Sequence, residues 1–157
     1  MIIKILKEIL LIAVWIGGSL AFGLWLNERV IVNAQVVSAS MEGTIMTYSR
    51  VLGLRFFNEI NRGDIVVFSV EGFDGLMIKR VIALPGEVIE IVNGITIING
   101  IALTESYAKE PTNADFAPIK VCYNKFFVMG DNRNNSRDSR AFGAICITQI
   151  LGRIHIY

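Results

Sequence analysis

Two serines two positions apart are the first residues of this sequence whose types could do chemistry. Ser38 and Ser40 lie in residues 36–44, VVSASMEGT. A serine hydroxyl acts as a nucleophile only when a neighbouring group takes its proton. Clusters of serine, threonine and glycine are more often turns than active sites. On this stretch alone, a solvated loop and a reactive hydroxyl both remain open.

Lys79 is the candidate for the group that would take that proton. It lies in residues 76–84, LMIKRVIAL, the most hydrophobic strand candidate of the chain. Adjacent strand residues point to opposite faces, so either Lys79 or Arg80 must point inward. A lysine in an apolar pocket has a lowered pKa and can act as a neutral base, whereas a lysine facing solvent stays charged. The alternation does not decide between the two.

Residues 130–140, GDNRNNSRDSR, form a third unusual segment directly after an apolar run. They could be a surface loop, or a hydrogen-bonded scaffold that orients a neighbouring site. The single histidine, His155, lies in an apolar strand-like tail and is expected to be structural. Cys122 and Cys146 could form a disulfide in an oxidising compartment or remain free thiols.

The composition is more apolar than that of an ordinary soluble domain. Of 157 residues, 53% are hydrophobic and 18% charged, and the net charge of +1 gives no argument for nucleic acid as a partner. Much of the excess lies in residues 9–26, which carry no charge and are just long enough to cross a bilayer core. Trp25 lies where an interfacial aromatic residue would be placed.

Three interpretations compete for this apolar segment. A buried soluble helix is disfavoured because no polar face appears at helical spacing. A cleavable signal peptide would have a basic start, an apolar middle and a small residue, Ala34, at a cut site. We favour a retained anchor, because Glu28 and Arg29 separate the apolar stretch from Ala34.

The charges around the anchor predict its orientation. Lys4 and Lys7 precede the apolar segment, and the positive-inside tendency then places the N-terminus in the cytoplasm. The expected order along the chain is a short cytoplasmic N-terminus (1–8), a transmembrane anchor (9–26), a linker (27–35) and an extracytoplasmic β-rich catalytic domain (36–157).

The remainder of the chain has the pattern of a β protein. Asn93-Gly94 and Asn99-Gly100 each separate two apolar runs, which is the strongest short-range hairpin signal. Residues 104–119 are expected to be an extended loop. The pattern predicts a mainly antiparallel, partly closed β fold on one N-terminal membrane helix, with strands in residues 64–70, 76–84, 88–92, 95–98, 101–103, 125–129 and 150–157.

Four segments, taken in order, resemble the sequence boxes of bacterial type I signal peptidases, the Ser/Lys-dyad leader peptidase family. They are SASMEGT (38–44), GDIVVF (63–68), IKRVIALPGEVIEI (78–91) and GDNRNNSRDSRAFG (130–143) followed by LGRI (151–154). The resemblance implies a partly closed, β-barrel-like antiparallel fold with one N-terminal transmembrane helix, and no metal or cofactor. It also implies exported preproteins as substrates, cut after small residues in an Ala-X-Ala pattern.

The resemblance also implies roles for individual residues. Ser40 would be the nucleophile and Lys79 the general base. The hydroxyl of Ser38 would contribute to the oxyanion hole beside the Ser40 backbone N–H. Expected partners are exported preproteins and membrane lipid, with the protein-export machinery as a further candidate.

Supporting and substrate-binding roles follow in the same way. Ser136 would hydrogen-bond the lysine amine and orient it, and Asp138 and Arg140 would form an ion pair near it. Each expected pocket residue could equally be an ordinary core residue; these residues are Val36, Val37, Met41, Ile45, Met77 and Ile78.

The sequence departs from the family pattern at a few positions. Gly43 stands where the nucleophile box usually has proline, so the backbone there is less restricted. Glu87 replaces a common aspartate, and residues 45–62 match less well. Two alternatives remain: a peptidase of the same dyad class with a dedicated substrate, and an inactive membrane-anchored domain that binds preproteins.

Overall fold

The computed structural model describes residues 2–154, apart from the side chains of residues 27 and 28, so His155 lies outside the described part. Helix α1, Ile2–Val30, has 29 residues and is about 44 Å long at 1.5 Å per residue. Within Ile2–Leu26, an 18-residue stretch has a mean hydropathy of 2.2 and is not buried against the rest of the protein. By length and composition this helix can cross a membrane, and it extends the expected apolar segment at both ends.

Eleven strands and one further short helix follow α1 in the described residues. The helix, α2, is Ser139–Phe142. The strands are β1 Ile31–Gln35, β2 Arg50–Leu54, β3 Ile65–Phe68, β4 Met77–Ala83, β5 Val88–Val92, β6 Ile95–Ile98, β7 Ile101–Ala102, β8 Phe116–Lys120, β9 Lys125–Met129, β10 Ile145–Cys146 and β11 Ile150–Ile154.

The strands form two antiparallel sheets, and the larger one is curled into a half-barrel. Its order is β1-β2-β11-β3-β4-β9-β10, and the smaller sheet has the order β7-β6-β5-β8. The pairings β11–β3 and β4–β9 each contain a register shift, and such bulges bend a sheet. The predicted mainly β, antiparallel and partly closed fold with one N-terminal apolar helix is confirmed.

Strands inside the larger sheet are buried on both faces. All four residues of β3 are buried, as are five of the seven in β4. These strands therefore appear in the sequence as continuous apolar runs rather than as alternating ones. The core position of β4 is what takes Lys79 into the interior.

The predicted hairpin turns are present. Asn93 and Asn99 have φ of 50° and 51°, and Gly94 and Gly100 have φ of 78° and 80°. Two successive residues with positive φ form the type I′ turn that matches the twist of paired strands. The Asn-Gly pairs thus set the register of β5, β6 and β7.

Four strands that the sequence pattern did not predict pair in the sheets, namely β1, β2, β8 and β10. Residues 27–35, expected as a linker, continue the helix to Val30 and then form β1, which pairs with β2. Part of residues 104–119, expected as an extended loop, forms β8. Strands β1 and β8 lie at sheet edges, where Pro118 is tolerated and no continuous apolar run is required.

Candidate active site

Ser40 and Lys79 meet in the interior of the larger sheet. The Lys79 Nζ donates a hydrogen bond of 2.5 Å to the Ser40 Oγ, and each residue is 4% exposed. Ser40 lies in a single 3-10 turn, Ala39–Met41, and Lys79 lies in β4 opposite Val66 of β3. An amine in direct contact with a buried hydroxyl can take its proton.

The surroundings of Lys79 lower the pKa of its amine to about 8. Burial is the largest cause, because it removes water from the charged form; the carboxylates of Asp138 and Asp131 oppose it, and Arg140 adds to it. A base whose pKa lies near the working pH is partly neutral and ready to accept a proton.

Ser38 lies directly beside Ser40. Its Oγ accepts a 3.2 Å hydrogen bond from the backbone N–H of Ser40 and caps the 3-10 turn. The two donors expected in the oxyanion hole, this N–H and the Ser38 hydroxyl, are therefore neighbours. A substrate oxygen placed between them would replace the Ser38 oxygen as acceptor for the N–H.

Ser136 contacts a carboxylate rather than the lysine. Its hydroxyl donates a 2.7 Å hydrogen bond to the Oδ2 of Asp138. Within residues 2–154, the Ser40 hydroxyl is the hydrogen-bond partner of the Lys79 amine, so the expected Ser136–Lys79 bond is absent there. Ser136 influences Lys79 through the carboxylate that it orients.

Asp138 is the centre of the supporting network. Its buried carboxylate accepts hydrogen bonds from the Arg140 Nε and Nη2, each at 2.8 Å, and from the Gly130 N–H at 3.0 Å. Burial alone would raise the pKa of this carboxyl, but Arg140, Gly130 and Ser136 together hold the pKa below its ordinary value. Asp138 is therefore ionised and provides a fixed negative charge near Lys79.

Gly130 occupies a position that admits no side chain. A Cβ there would lie 2.3 Å from the Ser136 Oγ and 2.4 Å from the Ser40 carbonyl oxygen, far inside van der Waals contact. The absence of a side chain lets the segment 130–136 approach the turn that contains Ser40. Sequence reasoning treated this glycine only as part of a motif.

Arg80 lies on the face of β4 opposite to Lys79 and binds the segment that packs against the Ser40 turn. Its guanidinium binds both oxygens of Asp131, at 2.9 and 2.7 Å, and the Thr44 hydroxyl donates to the same carboxylate at 2.5 Å. The N–H of Asn132 donates to the Ser40 carbonyl at 3.1 Å. The turn that contains Ser40 and residues 130–132 are thus joined by a hydrogen-bond network that sequence reasoning did not identify.

Gly43 adopts a backbone that proline cannot. Its φ is +106°, whereas the proline ring holds φ near −65°. The turn is held instead by hydrogen bonds from the N–H groups of Thr44 and Ile45 to the Met41 carbonyl, and by the Thr44–Asp131 contact. The freedom of the glycine is therefore offset by local hydrogen bonds.

A cleft of about 240 Å³ opens onto Ser40 and Lys79 between residues 35–41 and residues 74–79. Ile45 does not line it; this residue is 5% exposed and packs in the core with Val36, Met41 and Ile78. The other expected pocket residues do line the cleft, namely Val36, Val37, Met41, Met77 and Ile78. Sequence reasoning missed four more lining residues, which are Gln35, Asp74, Leu76 and Arg137.

The remaining reactive groups lie apart from this cleft. Cys122 and Cys146 are free thiols. Among residues 2–154, no group of three or more histidine, cysteine or acidic residues is arranged to hold a metal ion.

Comparison with known proteins places the chain beside relatives that are named signal peptidases. The family model described as signal peptidase, peptidase S26, matches residues 4–157. A signal peptidase I of Leptolyngbya laminosa is 36% identical over 149 residues, covering 88% of this chain and 73% of the relative. A probable signal peptidase I-2 of Synechocystis sp. is 34% identical over 130 residues, covering 77% of this chain and 60% of the relative.

A relative from Bacillus subtilis and a solved crystal structure belong to the same family of matches. Signal peptidase I S of Bacillus subtilis is 41% identical over 128 residues, covering 72% of this chain and 68% of the relative. The crystal structure of a signal peptidase I from Enterococcus faecalis has a TM-score of 0.56 and 30% identity. That match covers 62% of this chain and 97% of the crystallised one.

Proposed function

The chain belongs to the signal peptidase family of serine peptidases, peptidase S26, and from this premise we propose that Ser40 and Lys79 are the dyad with which it removes signal peptides from exported preproteins. The observation that carries the proposal is the 2.5 Å hydrogen bond between the Lys79 amine and the Ser40 hydroxyl inside a buried site.

The first half of the reaction forms an ester. The neutral Lys79 amine takes the hydroxyl proton while the Ser40 Oγ attacks the scissile carbonyl carbon. The oxyanion that develops is held by the Ser40 N–H and the Ser38 hydroxyl. The C–N bond then breaks, and the amine of the mature protein leaves with the proton from the Lys79 ammonium.

The second half releases the signal peptide. Water attacks the ester carbonyl and Lys79 takes one of its protons, so a second tetrahedral oxyanion forms in the same hole. The C–O bond to Ser40 breaks, and the Oγ recovers the proton from Lys79. Asp138, fixed by Arg140, stabilises the ammonium that appears twice in the cycle.

The substrate is proposed to bind as an added strand with small side chains near the cut. Strand β9 pairs with β4 only from Arg80 onward, which leaves residues 77–79 with a free edge along the cleft. An extended peptide can bond to such an edge. The apolar lining from Val36, Met41 and Ile78 is close to the dyad, which favours alanine-like residues in an Ala-X-Ala junction.

The anchor is proposed to bring this site to the outer membrane surface. Lys4 and Lys7 would hold the N-terminus in the cytoplasm, with residues 36–157 as the extracytoplasmic domain. Ser40 follows the last helical residue, Val30, by ten positions, so its reach from the helix end is at most about 35 Å. We also propose membrane lipid and the protein-export machinery as partners, because this placement holds the site at the membrane.

Cleavage of a preprotein by the detergent-solubilised full chain tests the proposed function. A new N-terminus at an Ala-X-Ala junction, identified by mass spectrometry, is the expected result, and Ser40→Ala should abolish it. Binding of several preproteins without any cleavage would instead identify an inactive binding domain. Cleavage of one preprotein among many would identify a dedicated-substrate peptidase.

The pH dependence of cleavage should report the lowered pKa of Lys79. Only the neutral amine accepts a proton, so kcat/KM should rise with pH to a plateau above a pKa of about 8. Two pH units below that pKa, only about one hundredth of the enzyme carries the neutral amine. A peptide without titratable groups should be used for the profile. If kcat/KM instead rose with pH only near the ordinary lysine pKa of 10.5, the result would contradict a Lys79 pKa lowered by burial.

A further inference from the structure

Two charged side chains line the cleft and take no part in the proposed reaction. They are Asp74, in the turn between β3 and β4, and Arg137, between Ser136 and Asp138. In the described part of the chain, neither side chain has a salt-bridge partner within 4.0 Å or a hydrogen bond to another residue. The Arg137 guanidinium is therefore not neutralised by a neighbouring carboxylate.

Arg137 is nevertheless held in place. Its guanidinium carbon lies 4.4 Å from the ring centre of Phe73. Phe73 meets Phe142 edge to face at 5.7 Å, and Phe142 packs at 6.2 Å against Phe68 in the core. This aromatic row connects an exposed arginine to the interior, so less side-chain entropy is lost when the guanidinium binds a ligand.

The chemistry of a stacked guanidinium determines what it would recognise. Stacking covers the flat face and leaves the N–H groups at the edge free to bind a carboxylate through two parallel hydrogen bonds. Lys79 must be neutral to act as a base, so in the reactive enzyme Arg137 is the positive charge that lines the cleft and Asp74 is the negative one. A substrate that enters the cleft passes both charges.

We propose that Arg137 is a specificity-determining residue that binds an acidic side chain of the preprotein close to the scissile bond. The proposal rests on the function proposed above, since it assumes that a preprotein occupies this cleft. Arg137 would then determine a preference for acidic residues near the cut, although the Ser–Lys chemistry itself does not require this arginine.

Matched peptides test this preference. Each peptide carries one Ala-X-Ala junction, and a single flanking position is either glutamate or glutamine. For wild type, the ratio of kcat/KM for glutamate over glutamine should reach about twofold to fivefold at one position, as expected for an exposed but well-oriented charge pair. The ratio should fall as salt is added, because exposed charges are screened.

Two variants separate a direct contact from the net charge of the protein. Arg137→Gln should bring the ratio to about one, while Arg137→Lys should keep a smaller preference, because a point charge lacks the fork geometry. Lys120→Gln removes the same charge from exposed strand β8, outside the cleft, and should leave both the activity and the ratio unchanged.

The outcomes distinguish this proposal from the function on which it rests. Cleavage with a ratio near one at every position overturns the role of Arg137 and leaves the peptidase intact. The same conclusion follows if Arg137→Gln keeps the wild-type ratio, if Lys120→Gln abolishes it, or if salt has no effect on it. Failure of wild type to cleave any peptide overturns both proposals.

Discussion

Lys79→Met should lower kcat/KM for preprotein cleavage by about four to six orders of magnitude, the loss typical when one member of a serine peptidase's catalytic set is removed. Methionine fills nearly the same volume, so the apolar surroundings of residue 79 should remain packed. It offers no atom that can take the Ser40 proton across the present 2.5 Å contact. Measurement of kcat/KM with one preprotein, beside Ser40→Ala, checks this expectation.

The same substitution should stabilise the folded protein at neutral pH. Folding lowers the pKa of Lys79 from 10.5 to about 8, so below pH 8 the folded state holds a desolvated ammonium. The unfolded state binds more protons between these values, and wild-type stability therefore rises with pH across this window. At pH 7, Lys79→Met should raise the free energy of unfolding by up to about 3 kcal/mol, and the gain should vanish near pH 10.5.

Inactivity together with unchanged or higher stability would assign Lys79 to the chemistry rather than to the fold. The midpoint of denaturant unfolding at pH 7 and at pH 10 provides the stability measurement. A Lys79→Met protein that cleaves within tenfold of wild type would remove Lys79 from the mechanism. A protein that fails to fold would contradict the desolvation argument.

Gly130→Ala is expected to have the next largest effect, a loss in kcat of about 10²-fold or more. The new methyl would lie 2.4 Å from the Ser40 carbonyl oxygen and 2.3 Å from the Ser136 Oγ. The Ser136 hydroxyl can rotate away. The Ser40 carbonyl belongs to the backbone and can move only together with the turn that contains Ser40. A displacement of about 1 Å at a reacting group is enough to produce a loss of this size.

The stability cost of Gly130→Ala should be moderate, about 1–3 kcal/mol, because one methyl is forced into a packed site. Gly18→Ala provides the matched control, since its Cβ would meet nothing within 4 Å in the apolar helix. Steady-state kinetics and thermal unfolding of both variants separate misplacement of Ser40 from loss of fold. A wild-type kcat for Gly130→Ala would show that the two segments need not approach so closely.

Several elements were predictable because their signals are local. Strands β5, β6 and β9 have the bounds that their apolar runs predict, since each run is flanked by turn residues. The apolar N-terminal helix was predictable from length and composition. Edge strands β1 and β8 were missed because β1 follows helix α1 without a turn between them and β8 contains Pro118, so both depend on their pairing partners.

The candidate site, too, was predictable from the sequence only in part. The sequence by itself determined which residue types are available, and the resemblance of four segments supplied their expected roles. It did not determine that both Lys79 and Arg80 are drawn inward, one to Ser40 and the other to Asp131. That Ser136 binds Asp138 and that Ile45 lies in the core also became evident only in the folded protein.

The physical reason is the distance along the chain over which the contacts act. Ser40 and Lys79 are 39 positions apart, and Arg80 and Asp131 are 51 positions apart. Local propensity and periodicity report neighbours within a few residues, whereas sheet register decides which distant side chains share a face. The sequence alone determined the apolar strands, the Asn-Gly turns, the membrane-length helix and the reactive residue types. The tertiary structure alone decided that Ser40 and Lys79 lie within hydrogen-bond distance of each other in a buried site.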